Sequence, residues 1–269
     1  LYFKIEDAKY WYEIDGNGPP VVLFHGFTGS TSTWYSVIPV LKEHFQIITV
    51  DLPGHGKTRT QSPRTMEACC FDIKQLLFHL KLSEVHLVGY SMGGRTALSF
   101  AMFYPEMVTS LCLESSSPGL NSTEERMNRA ANDEKLASKI EQDGLIAFVH
   151  YWENIPLFHT QKRLSAVVQQ SIRQERLAQT EEGLARSLRY MGNGKQPSWW
   201  SELTRFEKPV LLVVGSDDQK FIQINKRMKK RIKSSDLVIV DNSGHAIHVE
   251  QPKIFGKIVT AFILKINSL

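Results

Sequence analysis

The segment Gly89-Tyr90-Ser91-Met92-Gly93 constrains this chain more than any other. It joins an apolar, β-branched run at residues 85–89 to an amphipathic run at residues 92–104, so a strand must become a helix within a few residues. A turn that tight crowds the positions flanking the serine, and Gly89 and Gly93 supply the small residues it needs. The serine hydroxyl then projects at the edge of a sheet, beside a helix N-terminus that favours negative charge. An ordinary strand-to-helix turn is the plainer alternative, and the strand and helix patterns on either side favour the nucleophile elbow.

The rest of the chain repeats the same alternation. Strand patterns fall at residues 21–25, 46–50, 85–89, 108–114, 210–214 and 237–240, several of them continuously apolar, as for strands covered on both faces. Helix patterns fall between them at 33–43, 65–80, 92–104, 219–232 and 252–264. The rhythm predicts an α/β fold with a mainly parallel central sheet and helices on both faces. An antiparallel strand near residues 10–14, closed by Asp15-Gly16-Asn17-Gly18, precedes it. Between residues 117 and 208 no strand pattern occurs. Helices are expected there at 122–132, 134–142, 145–152, 161–174 and 182–190. An all-helical insertion near the carboxyl ends of parallel strands reads as a lid over a ligand site. The expected organisation is a core in two parts, residues 1–116 and 209–269, with a lid at 117–208.

Composition excludes several classes. Apolar residues make up 42% and charged residues 22% of 269, an ordinary globular balance with no sign of disorder. The net charge of +4 is modest, and the densest basic run, Lys226 to Arg231, reads as a solvated helix face and not as a nucleic-acid module. Three cysteines, Cys69, Cys70 and Cys112, make a poor disulfide framework. No apolar run is long enough for a membrane span and no signal-peptide layout is visible, so a reduced, cytoplasmic protein is expected. Metal and dinucleotide motifs are missing, so neither a metal nor a cofactor is expected.

A serine hydroxyl needs a base to take its proton, and that base needs a carboxylate to orient it. The chain order expected for this fold is Ser, acid, His. Downstream, strand 210–214 ends in Gly215-Ser216-Asp217-Asp218 and strand 237–240 is followed by Asp241-Asn242-Ser243-Gly244-His245. Asp218 fits the expected Gly-x-x-Asp spacing, with Asp217 as its competitor. His245 is the candidate base, and His248 is assigned a packing or hydrogen-bonding role. After the first strand, His25-Gly26-Phe27-Thr28-Gly29 places the N–H of Phe27 where it joins the N–H of Met92 as an oxyanion hole.

With these parts identified, the sequence resembles 2-succinyl-6-hydroxy-2,4-cyclohexadiene-1-carboxylate synthase, an α/β-hydrolase-fold lyase family of menaquinone biosynthesis. The resemblance runs along nearly the whole chain. It is carried by the Phe27 loop, by Arg95 just after the elbow, by Ser117-Pro118-Gly119-Leu120 with Glu125-Arg126, and by Trp152-Glu153-Asn154-Ile155-Pro156-Leu157-Phe158. Gly183-Leu184-Ala185-Arg186-Ser187-Leu188 and Met191-Gly192-Asn193-Gly194 extend it. The resemblance implies elimination of pyruvate from a polyanionic substrate, with no cofactor. It also implies substrate contacts at Tyr90, Arg95, Arg126, Trp152 and Arg173, with Arg176 the alternative to Arg173. The partner implied is that small polyanion, with no nucleic acid and no membrane, for a monomer or weak homo-oligomer. The same triad would also serve a serine hydrolase acting through an acyl-enzyme, or sit idle in a ligand-binding module.

Overall fold

Alternation of side chains along the first buried strand decides the layers. In β3 (Pro20–Phe24), Val21 and Leu23 enter one apolar cluster while Val22 and Phe24 enter another on the opposite face. The computed structural model describes residues 1–268. The other strands are β1 (Tyr2–Ile5), β2 (Ala8–Asp15), β4 (Gln46–Val50), β5 (Arg59–Thr60), β6 (Val85–Tyr90), β7 (Val108–Glu114), β8 (Val210–Gly215) and β9 (Ser235–Val240). They form one sheet in the order β1-β2-β4-β3-β6-β7-β8-β9, with β5 on β2. β1, β2 and β5 pair antiparallel, and every pairing from β4 to β9 is parallel.

The helices are α1 (Ile38–Leu41), α2 (Met66–His79), α3 (Met92–Phe103), α4 (Thr123–Trp152), α5 (Ala166–Leu177), α6 (Glu181–Met191), α7 (Gln219–Lys229), α8 (Ile247–Glu250) and α9 (Pro252–Asn267). α2 and α3 pack on one face of the sheet, where Ile73, Leu77, Leu98 and Phe100 meet Val22 and Phe24. α1 and α9 cover the other, where Phe255 and Val259 meet Trp34 and Leu41. The strand patterns read from the sequence all appear, most of them extended by a residue or two. β1 and β5, which are short and lie at the antiparallel margin, were not expected.

Three helix expectations are corrected. Residues 33–43 do not form one helix. A 3-10 turn (Thr31–Trp34), capped by the Ser30 side chain, gives way to the single turn α1, which has Pro39 in its first positions. Proline lacks the N–H that a continuous helix would use there. Between β7 and β8, the expected helices at 122–132 and 134–142 run together in α4, while the expected break before 145–152 falls at Gly144, whose backbone is non-helical (φ 81, ψ 166). The element expected at 161–174 splits into a 3-10 segment (Pro156–Arg163) and α5, restarted by the Ser165 cap. α4 and α6 close a third apolar cluster around Ile140, Phe148 and Leu184, so the inserted helices carry a core of their own.

Candidate active site

β6 is buried along its whole length and runs directly into α3, with Ser91 between them. Ser91 holds φ 50, ψ −105, a conformation that side-chain-bearing residues rarely adopt. Space explains the flanking glycines. A Cβ on Gly89 would lie 2.4 Å from Gly93 O, and one on Gly93 would lie 2.0 Å from Phe24 O. The Ser91 N–H donates to Glu114 O at 2.9 Å and ties the turn to the end of β7.

Three polar side chains from three loops meet at this edge. The Ser91 hydroxyl lies 3.0 Å from His245 Nε2, and His245 Nδ1 lies 2.7 Å from Asp218 Oδ2. His245 and Asp218 are buried. A carboxylate at Nδ1 holds the proton on that nitrogen and leaves Nε2 as an acceptor for the serine hydroxyl. Asp218 also caps α7, accepting from Phe221 N, and the Phe221 ring packs 4.6 Å from the imidazole. Asp217 points elsewhere: it is exposed and pairs with Arg163 at 2.7 Å. His248 is buried behind Tyr90 and donates to the Glu114 carboxylate.

Ser91 and His245 open onto a cavity of about 660 Å³. Its floor comes from the sheet edge and its roof from α4, the 3-10 segment and α6. Phe27, Tyr90, Met92, Arg95 and Trp152 line it as expected residues. Met92 opens α3, so its N–H has no intrahelical acceptor. Trp152 stacks on Phe148 and meets Phe27 edge-on, and its buried Nε1 has no partner among the described residues. Burial, and then the nearby Glu114, push the Tyr90 phenol well above its usual range.

Arg95 is the best-placed cation. Its Nη1 donates to Met191 O at 3.1 Å and to Gln196 Oε1 at 2.5 Å, and it makes no carboxylate pair among the described residues. Burial first, and then Arg129, pull its guanidinium down to about 10. It therefore remains a cation at neutral pH, in surroundings that favour an incoming anion.

Two expected arginines lie outside this cavity. Arg126 sits in the first turn of α4, where the helix packs on Gly194 before reaching the cavity. Arg129, three residues on, lines the wall and pairs with Asp133 at 2.7 Å. Arg173 turns outward and bonds to the Glu153 carboxylate. The alternative, Arg176, is buried, with its guanidinium 4.7 Å over the Phe158 ring and Nη2 donating to Gln161 at 3.1 Å. A small side cavity of about 40 Å³ joins Arg176 to Tyr90 and His248. Lys135, Lys139 and Lys220, which belong to no recognisable motif, also line the main cavity. The only signal for Lys220 was its position two residues after Asp218.

The alpha/beta hydrolase fold family matches residues 19–252. A putative 2-succinyl-6-hydroxy-2,4-cyclohexadiene-1-carboxylate synthase of Bacillus subtilis (strain 168) is 46% identical over 266 residues, covering 95% of each chain. The chain belongs to this synthase family of the α/β-hydrolase fold. Within the synthase family, the solved structure of MenH from S. aureus superposes with a TM-score of 0.92 at 32% identity, covering 96% of this chain and 98% of that one. A thermophilic esterase from Thermogutta terrifontis, solved with malate bound, follows at a TM-score of 0.86 and 28% identity, covering 96% of this chain and 94% of that one. The synthase fold is thus shared with hydrolases, and the chemistry has to be argued from the site.

Proposed function

We propose that this protein is a carbon–oxygen lyase of menaquinone biosynthesis. It eliminates pyruvate from 2-succinyl-5-enolpyruvyl-6-hydroxy-3-cyclohexene-1-carboxylate to give 2-succinyl-6-hydroxy-2,4-cyclohexadiene-1-carboxylate. The observation that carries this reading is the Ser91–His245–Asp218 chain, at 3.0 and 2.7 Å, opening on a cavity whose Arg95 has no carboxylate partner. The 46% identity to the Bacillus subtilis relative supports it.

In this reading His245 Nε2 draws the Ser91 proton, and the serine oxygen removes a proton from a substrate carbon. The freed electron pair at C2 forms the C2=C3 double bond, and the existing C3=C4 π pair shifts to C4=C5. The carbon–oxygen bond to the enolpyruvyl group breaks, and the departing enolate takes a proton and leaves as pyruvate. Asp218 holds the imidazole in the required tautomer and stabilises the imidazolium. The N–H groups of Phe27 and Met92 face the charge that develops on substrate oxygen. Arg95 fixes a carboxylate, and the helices of residues 117–208 act as the lid that excludes water. The same residues fit a small polyanion handled without a cofactor. Three buried free thiols suit a reducing cytoplasm.

The test is direct: incubate the enzyme with the enolpyruvyl substrate and couple pyruvate to a lactate dehydrogenase readout. Release well above that of Ser91→Ala is expected. Equal rates from the two proteins, together with a burst of phenol from activated aryl esters, would move the assignment to a serine hydrolase.

A further inference from the structure

We propose that Lys220 is a specificity-determining residue whose ammonium receives a carboxylate of the substrate on the His245 side of the cavity. The inference rests on the lyase reading for the identity of the anion, and on the structure around Lys220 for the rest.

Lys220 is placed where helix stability disfavours it. It is the second residue of α7, and the N-terminus of a helix carries partial positive charge that a lysine opposes. Two other long helices follow that rule, α4 with Glu124 and Glu125 and α6 with Glu181 and Glu182, whereas α3 and α5 open with neither acid nor lysine in that position. The first turn of α7 has no acid, while Lys226, Arg227 and Lys229 gather at its end, as the dipole favours. A local rule broken at one position beside an active site suggests selection for something other than stability.

Its charge is also uncommitted. Two other cations of the cavity wall are neutralised, Arg129 by Asp133 at 2.7 Å and Lys139 by Asp143 at 2.5 Å. Lys220 makes no ion pair and no side-chain hydrogen bond among the described residues, and its ammonium lies 5.6 Å from the Phe221 ring centroid. Lys135 is unpaired too, but it stands on α4, in the inserted helices, away from the turn that carries the triad acid.

Position relative to the triad completes the case. Asp218 caps α7 and Phe221 packs against His245, so Lys220, the second of the two residues between them, is held in fixed register with the imidazole. Arg95 follows Ser91 by four residues on α3, and Lys220 follows Asp218 by two on α7. Each helix that begins at a triad residue thus delivers one cation without a carboxylate partner to the cavity. Two such points, on two rigid elements, select a substrate with at least two carboxylates and orient it across Ser91.

The experiment compares wild type, Lys220→Gln and Lys220→Arg in two assays. The first is pyruvate release from the enolpyruvyl substrate. The second is calorimetric binding of 4-oxo-4-phenylbutanoate and of its uncharged amide. For Lys220→Gln, KM is expected to rise about tenfold with kcat nearly unchanged, as for loss of an exposed charge-assisted contact. Binding of the acid should weaken by a similar factor and binding of the amide should not change. Lys220→Arg should restore most of both, and added salt should narrow the difference between wild type and Lys220→Gln. Equal weakening of acid and amide, or a fall in kcat at constant KM, would overturn the proposal by showing that Lys220 merely supports the triad loop. A wild type that releases no pyruvate would end the lyase reading, while the acid–amide comparison would still decide the role of Lys220.

Discussion

Glu114 and His248 form a fully buried acid–imidazole pair, with Nδ1 of the histidine 2.8 and 3.0 Å from the two carboxylate oxygens. The backbone N–H of His248 adds a third bond at 3.0 Å. Glu114 closes β7, where its carbonyl receives the Ser91 N–H, and His248 lies in α8, just beyond His245. The pair therefore joins the elbow strand's neighbour to the histidine loop from beneath. Removing one partner leaves the other buried and unmatched, so Glu114→Ala should cost about 3–5 kcal/mol of unfolding free energy. Glu114→Gln, which keeps the shape and one acceptor, should cost less. Urea denaturation measures both, and a loss below about 1 kcal/mol for the alanine variant would show that the pair is not holding the loop.

Asp217 and Asp218 are adjacent in sequence and separate in role. Asp218→Asn keeps the shape but favours the wrong histidine tautomer, and a triad acid changed this way loses about 10⁴-fold in kcat. Asp217 makes an exposed pair with Arg163. Asp217→Asn should leave kcat within about twofold and stability within about 1 kcal/mol. Steady-state rates on the two variants decide it: comparable losses in both would contradict the assignment.

What could be read from the sequence follows the range of the forces involved. Parallel strands buried on both faces announce themselves as apolar runs, and the crowding at Gly89 and Gly93 is set by five consecutive residues. Ser91, His245 and Asp218 were found because each sits just past a legible strand. The cavity wall was harder, because its members depend on how inserted helices rotate over the sheet. Arg126 and Arg129 are three residues apart on α4, and only the second reaches the cavity. Arg173 and Arg176 are likewise three apart on α5, yet one meets Glu153 and the other Phe158. Periodicity places such pairs near one face but does not say which of them the neighbouring element covers. The interruption at Gly144 was legible, since the helix patterns stop at 142 and resume at 145, whereas the continuity of α4 through residue 133 was not.

Arg95→Ala should lower kcat/KM for pyruvate release by about 10- to 100-fold, the equivalent of one charge-assisted contact of about 1.5–3 kcal/mol. The effect belongs in KM if the contact is made equally in ground and transition states, and in kcat if it tightens only during elimination. Some stability is also at stake, because Gln196 Oε1 and Met191 O lose their donor. Arg95→Lys keeps the charge but not the planar fork, and should recover only part of the loss. An unchanged kcat/KM in the alanine variant would remove Arg95 from the site.

His25 and His55 make stability depend on pH. Burial holds the His25 imidazole down to about 4 and, helped by the neighbouring His25, that of His55 down to about 3. The bonding of His25 agrees, since its Nε2 accepts from Leu52 N at 2.9 Å while Nδ1 donates to Gly26 O at 2.7 Å, an arrangement that only the neutral ring can make. In the unfolded chain both rings titrate near the ordinary value of about 6.5. Between that value and the folded ones the unfolded state binds more protons, so stability is fully present above about pH 6.5 and falls as the pH drops toward 4. Each histidine contributes up to about 1.4 kcal/mol per pH unit across that window. Urea denaturation at pH 7, 6 and 5 should show the decline, and His55→Gln, which has no proton to gain there, should show a shallower one. Parallel slopes for the variant and the wild type would mean that the buried imidazoles do not govern acid sensitivity.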